Sequence, residues 1–353
     1  EEDEEGEDDE EGEDDEDDED DEDDEDDEED EDNKELFEDE KDAYYNKDER
    51  QSAASHLYPD LNDAQFNVRI ASKKEFSDHP FDGTLKKDIK KASEEACEND
   101  FVIAPHQQFV KNFMSLETPY NSILLYHELG TGKTCSAIGI TEEMREYMRQ
   151  TGFLKKIMII ASPNVQDNFK LQLFDPNKLK KLKNGAWDLD TCVGNILLKD
   201  INPANLEGLS RESVIKSIKT LVKKYYRFMG YDSVALYSDS EAKNFKRKEE
   251  RKRQQGKHST LIEHIENELP EILELEPIKA TDDPTVVAQK KKVIQKVKDK
   301  FDYRLIVVDE FHNMVARKEN TKKSAAKILL QIVTYCKFTR LILLSATPLY
   351  NTK

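Results

Sequence analysis

The stretch NSILLYHELGTGKTCSAI, Asn121–Ile138, joins an apolar run, a glycine-bearing loop and the start of a helical pattern. A phosphate-binding loop reads G-x-x-x-x-G-K-[ST] between a strand and a helix. Gly132, Lys133 and Thr134 fill its last three positions, but the first glycine position holds His127. That glycine eases the turn out of the strand, and a residue with a side chain can stand there if its backbone angles stay ordinary. Gly130 and Gly132 let backbone N–H groups approach an anion. Lys133 carries charge toward the β- and γ-phosphates, and Thr134 offers a hydroxyl to Mg2+. The expected triphosphate site is therefore His127, Glu128, Leu129, Gly130, Thr131, Gly132, Lys133 and Thr134.

Outward from this loop the same grammar repeats. KKIMIIASP (Lys155–Pro163), RLIVVDE (Arg304–Glu310) and RLILLSATP (Arg340–Pro348) are apolar runs that each end in polar residues. Ile138, Met144 and Met148 recur at roughly helical spacing after the loop, and SAAKILLQIVTYC (Ser324–Cys336) reads as a helix between the last two runs. Near-continuous aliphatic strands separated by helices predict an α/β fold with a parallel central sheet covered on both faces. In such sheets function collects at the carboxyl ends of the strands.

Two of those ends carry chemistry. In VVDEFHNM (Val307–Met314), Asp309 is placed to hold Mg2+ and Glu310 to orient the attacking water. His312 reads as a hydrogen-bonding link from the nucleotide to neighbouring motifs. In LLSATP (Leu343–Pro348), Ser345, Ala346 and Thr347 set hydroxyls where they can bond the carboxylate motif. The catalytic candidates are thus Lys133, Asp309, Glu310 and His312, with Thr134 and Asp309 as metal ligands.

Charge divides the chain. Its 353 residues carry a formal net charge of −24, yet residues 1–32 hold 30 Asp/Glu and two glycines. Removing those 30 negative charges turns −24 into +6 for residues 33–353. A tract with no apolar surface and dense like charge stays extended, so residues 1–50 read as a disordered acidic tail that keeps the chain soluble or binds basic proteins. Residues 51–97 read as a partly ordered linker, with a helix near Leu85–Cys97, and residues 98–353 as the α/β domain. A long charged insertion occupies about 239–300, with basic runs Lys243–Lys257 and Gln289–Lys300 that suit a solvated helix or a phosphate-tracking patch. The four cysteines, Cys97, Cys135, Cys192 and Cys336, are far apart and form no C-x-x-C pair. That spacing argues against a disulfide framework and a zinc site and suits a reducing, intracellular compartment. No apolar run is long enough to span a bilayer, and a soluble protein without membrane contact is expected.

In succession, G-T-G-K-T, D-E-F-H and S-A-T resemble the first RecA-like domain of superfamily 2 helicases, over roughly Phe101–Lys353. That family tolerates a residue other than glycine where His127 stands. APHQQFVKNFM (Ala104–Met114) resembles its glutamine motif, which implies adenine recognition by Gln107, with Gln108 as the competing choice. IIASPNVQDNF (Ile159–Phe169) resembles its motif Ia, which implies nucleic-acid contacts at Ser162, Pro163 and Asn164. The wording LLYHELGTGKT, FMGY and DEFHN is similar to the poxvirus-type group containing nucleoside triphosphatase I and the early transcription factor small subunit. The resemblance implies an ATP- and Mg2+-dependent motor on DNA, or alternatively RNA, with an RNA polymerase or transcription-factor subunit as partner. It also implies the soluble interior of an infected cell, cytoplasm or nucleus, and the virion. Strand separation, a Swi/Snf-like duplex translocase and a non-hydrolysing binding module are the competing readings.

The family pairs this domain with a second RecA-like lobe bearing an arginine finger, and no motif of that lobe falls within the chain. Glu1 in place of Met, and a last residue, Lys353, soon after S-A-T, read as cut ends. Loss of such a finger costs on the order of 10³–10⁵ in rate, so weak hydrolysis is expected from this lobe alone.

Overall fold

The computed structural model describes residues 57–78, 103–126, 130–152, 155–203, 209–231, 275–312 and 325–346, with isolated positions between 260 and 272. All of these belong to one unit, Ala54–Lys353. The acidic tail, the expected helix at Leu85–Cys97, the basic run Lys243–Lys257, and His127, Glu128, Leu129 and Thr347 lie outside the described residues.

Two short helices, α1 (Phe66–Ala71) and α2 (Lys74–Ser77), pack on α3 (Pro105–Phe113). Aromatic contacts fasten this corner, with Phe113 and Tyr120 stacked at 4.4 Å and the Tyr120 hydroxyl donating to the Pro59 carbonyl at 2.7 Å. Strand β1 (Ser122–Tyr126) then leads through the loop into α4 (Lys133–Thr151). Next come β2 (Ile157–Ile160) and α5 (Pro163–Leu173), then a small antiparallel hairpin of β3 (Leu179–Lys181) and β4 (Trp187–Leu189). Helices α6 (Ile196–Ile201) and α7 (Arg211–Tyr225) follow and feed β5 (Tyr226–Met229). The remaining elements are α8 (Pro284–Phe301), β6 (Leu305–Val308), α9 (Ala325–Tyr335) and β7 (Arg340–Ser345).

The main sheet is parallel and five-stranded in the order β1-β7-β6-β2-β5. Alternation along its central strands divides the core between the two faces. Ile157, Ile159, Leu305 and Val307 join one cluster with α4, α5 and α7. Met158, Ile160, Ile306 and Val308 join the other, with α8 and α9. Every residue of β2 and β6 is buried. Each such aliphatic side chain is worth about 1.5–3 kcal/mol, which is why these runs carry no polar alternation.

The sequence shows four of these five strands. The fifth, YRFM, lacks the aliphatic run of the others and places Arg227 inside it, so its strand character comes from pairing with β2 rather than from its own pattern. The basic run Gln289–Lys300 falls in α8, where Val297 and Phe301 are buried while Lys291 and Lys292 are exposed. Asp283 caps that helix, accepting from the Thr285 N–H, and Pro284 takes its first position.

One expectation is overturned. Cys135 and Cys192, 57 residues apart, form a disulfide with Cα atoms 5.4 Å apart. It ties the first turn of α4 to the β4–α6 connection. Wide spacing in sequence is a poor guide here, because the return of the chain after the hairpin brings the two together.

Candidate nucleotide site

Two glycines set the described end of the loop between β1 and α4. Gly130 and Gly132 have φ of 81° and 79°, in the left-handed region that L side chains rarely enter. At Gly132 space also forbids a side chain, since a Cβ there would lie 2.5 Å from Gln107 Nε2. The helix behind it starts at Lys133, so the first N–H groups of α4 point out of the loop with the positive end of the helix dipole. The Gly132 carbonyl takes the Ser136 N–H at 2.9 Å and the Ser136 hydroxyl at 3.1 Å.

Helix α3 supports the loop from outside. Gln107 folds back to accept the Ala104 N–H at 2.9 Å and donates to the Gly132 carbonyl at 3.2 Å. Gln108 instead donates to Asn112 one turn along its own helix, at 2.7 Å. Of the two glutamines only Gln107 therefore reaches the loop. His106, which the sequence does not single out, shares a 3.1 Å hydrogen bond with the Thr131 carbonyl. A small cleft beside the loop is lined by Ile103, Gln107, Lys111, Cys135, Gly139 and Cys192.

Asp309 and Glu310 leave the end of β6, one strand from β2 and one from β7. Asp309 is only 6% exposed. Burial pushes its carboxyl up to about 6; the neighbouring Glu310 charge adds to the rise, while the Glu310 N–H and Lys133 oppose it. Glu310 has φ 47°, which costs a non-glycine residue about 1–3 kcal/mol and persists only where its surroundings enforce it. Glu310 Oε2 is buried without a hydrogen bond. His312 Nδ1 lies 3.3 Å from it, but that nitrogen bonds Ser345 Oγ at 2.9 Å. Ser345, at the end of β7, is fully buried and pairs in register with Tyr126 of β1. Ala346 follows it at the same edge.

The residues present fit a magnesium nucleotide. A buried carboxylate with a raised pKa, an orphaned carboxylate oxygen and the Thr134 hydroxyl one residue beyond Lys133 are groups that a bound cation and water would satisfy. Among the described residues no group of three or more His, Cys, Asp or Glu is placed to hold a metal. Mg2+ asks for less, because it keeps several waters and takes one or two carboxylates plus phosphate oxygens.

Ser162, Pro163 and Asn164 sit at the same edge, at the end of β2 and the start of α5. Gln166, absent from the sequence expectations, donates to the Ala161 carbonyl at 2.8 Å and is buried there. The described site thus gathers segments from three crossovers along one edge, although only their local patterns are visible in sequence. No helix among the described residues is long and apolar enough to cross a membrane.

Comparison with known proteins agrees with this geometry. The SNF2-related domain family matches residues 106–353. The mimivirus protein named "Putative ATP-dependent RNA helicase L377" (Acanthamoeba polyphaga mimivirus) is 24% identical over 310 residues, covering 86% of this chain and 23% of that protein. "Putative ATP-dependent RNA helicase R350" of the same virus is 38% identical over 149 residues, 41% of this chain and 14% of that protein. "Putative helicase 087L" of Invertebrate iridescent virus 3 is 34% identical over 83 residues, 22% of this chain and 8% of that protein. The chain spans less than a quarter of the length of these relatives. No solved structure matches it.

Proposed function

Because the chain belongs to the SNF2-related domain family, we propose that it is the ATP-binding half of a nucleic-acid-stimulated motor of the DExH type, serving viral transcription. The observation that carries this reading is the meeting of Gly132–Lys133, Asp309–Glu310 and the His312–Ser345 hydrogen bond at one sheet edge. The loop amides and Lys133 receive the phosphates of ATP. Thr134 and Asp309 would hold Mg2+, which when bound would supply positive charge to offset that of the phosphates. Glu310 Oε2, buried and unbonded, orients the attacking water toward the γ-phosphate.

Gln107 reads the adenine while gripping the loop through Gly132. His312 and Ser345 link the state of the nucleotide to β7, and Ala346 and Thr347 of the same motif are assigned to this coupling. At the start of α5, Ser162 and Asn164 offer backbone N–H groups to a nucleic-acid phosphate, with Pro163 between them fixing the turn into the helix. A second lobe closes the cleft and supplies the arginine finger, and cycles of closure step the pair along DNA. The helicase names of the relatives support a nucleic-acid track. An RNA polymerase or transcription-factor subunit is the proposed partner, in the cytoplasm or nucleus of an infected cell.

The test is Glu310→Gln in the protein carrying both lobes. DNA-stimulated turnover is expected to fall by on the order of 10²–10³ while ATP binding persists. Unchanged turnover would sink the assignment. Displacement of a triplex strand without separation of the duplex would favour translocation over unwinding.

A further inference from the structure

The turn at Asp309–Glu310 is held from several sides. The Asp309 N–H donates to the Ile160 carbonyl at 3.0 Å, and the Phe311 N–H donates to the Leu344 carbonyl at 3.1 Å. The Glu310 N–H donates to the Asp309 carboxylate at 2.8 Å. These three bonds come from neighbouring strands or from the motif itself. A further one has a different origin: the Tyr231 hydroxyl donates to the main-chain carbonyl of Asp309.

Tyr231 stands two residues beyond Met229, the last residue of β5. Met229 pairs with Ile160, and Ile160 pairs with Val308. The Tyr231 side chain therefore crosses the end of β2 to reach the end of β6, and it is only 3% exposed. The carbonyl it holds belongs to the peptide joining Asp309 to Glu310. Fixing that peptide plane restrains the left-handed φ of Glu310, and with it the direction in which the Glu310 side chain leaves the main chain.

We infer that Tyr231 is a positioning residue for ATP hydrolysis, acting through the Asp309–Glu310 peptide to aim the Glu310 carboxylate at the attacking water. This rests on the proposed reading of the site. A buried tyrosine hydroxyl needs an acceptor in any core; this one takes the single carbonyl whose rotation would re-aim Glu310. FMGY, which stands out in the sequence only by its wording, thereby acquires a physical role at its last residue.

Tyr231→Phe removes the hydroxyl and keeps the ring. In the two-lobe protein kcat is expected to fall about tenfold, the rate equivalent of one hydrogen bond lost from the transition state, with KM for ATP within about twofold. Thermal unfolding should move little, while amide hydrogen exchange at Glu310 and Phe311 should speed up about tenfold. In a Glu310→Gln background the substitution should cause no further loss, because both changes act on one carboxylate. An unchanged kcat with unchanged exchange at 310–311 overturns the inference, as does an equal loss of rate in the Glu310→Gln background. ATP binding by the wild type and loss of turnover in Glu310→Gln test the underlying reading separately. Exchange at 310–311 reports on Tyr231 whether or not turnover is seen.

Discussion

Helix α4 touches two clusters of charge, and they are built on opposite principles. At its first turn Lys133 stands near Asp309, and the adjacent Glu310 keeps a buried carboxylate oxygen without a hydrogen bond. Midway along, Arg145 is wholly buried and every strong partner is present. Its Nε and Nη2 donate to Glu142 Oε2 at 2.9 and 2.7 Å, and its Nη1 bonds Asp200. The Tyr226 hydroxyl donates to Glu142 Oε1 at 2.5 Å, and burial together with the Glu142 charge raises its pKa well above the usual phenol range. Burial by itself pulls the Arg145 guanidinium down, but Glu142 and Asp200 outweigh it and raise the pKa. The inner cluster is closed by its own members and joins α4 to α6 and β5. The outer one is left incomplete, which is the condition for receiving a ligand.

Substitutions can break this contrast. Arg145→Ala strands two buried carboxylates and should cost about 3–5 kcal/mol in denaturant unfolding. The fraction that remains folded should bind ATP with unchanged affinity; a loss of affinity at full folding would mean that the inner cluster also serves the site. Glu310→Gln is its mirror image, with a large loss of rate and an unfolding midpoint that stays put. Gly132→Ala falls between the two, since it forces a Cβ into the left-handed region and against Gln107 Nε2. A loss of about 1–3 kcal/mol of stability, together with weaker ATP binding by calorimetry, is expected. Smallest of all should be Lys296→Ala, which removes an exposed 2.7 Å pair with Glu271. No more than about 0.5 kcal/mol should be lost there, and a larger cost would show that surface charge on α8 contributes to the fold.

Legibility from sequence follows the range of the forces involved. Strands β2, β6 and β7 are visible because each is an aliphatic run buried on both faces, β1 because it is an aliphatic run beside a glycine loop although only Leu125 in it is buried, and that loop because its glycines answer a local backbone demand. Strand β5 escapes notice because its pattern is that of an edge, with partly buried Arg227 and Phe228. The choice between Gln107 and Gln108 stays open in sequence, since adjacent helical residues differ only in the direction they face. The cysteine spacing misleads for the same reason that Tyr231 stays hidden: their partners lie 57 and 78 residues away.

By itself, then, the sequence determined the succession of strand, loop and helix and the chemical types placed at each strand end, because side-chain period and glycine backbone are local properties. Only the tertiary structure decided which ends become neighbours. Strand order β1-β7-β6-β2-β5 sets β6 between β7 and β2, so His312 meets Ser345 and Asp309 meets the carbonyl of Ile160. That order comes from burying two sheet faces under helices at once, a packing solution for the whole chain that no single stretch encodes.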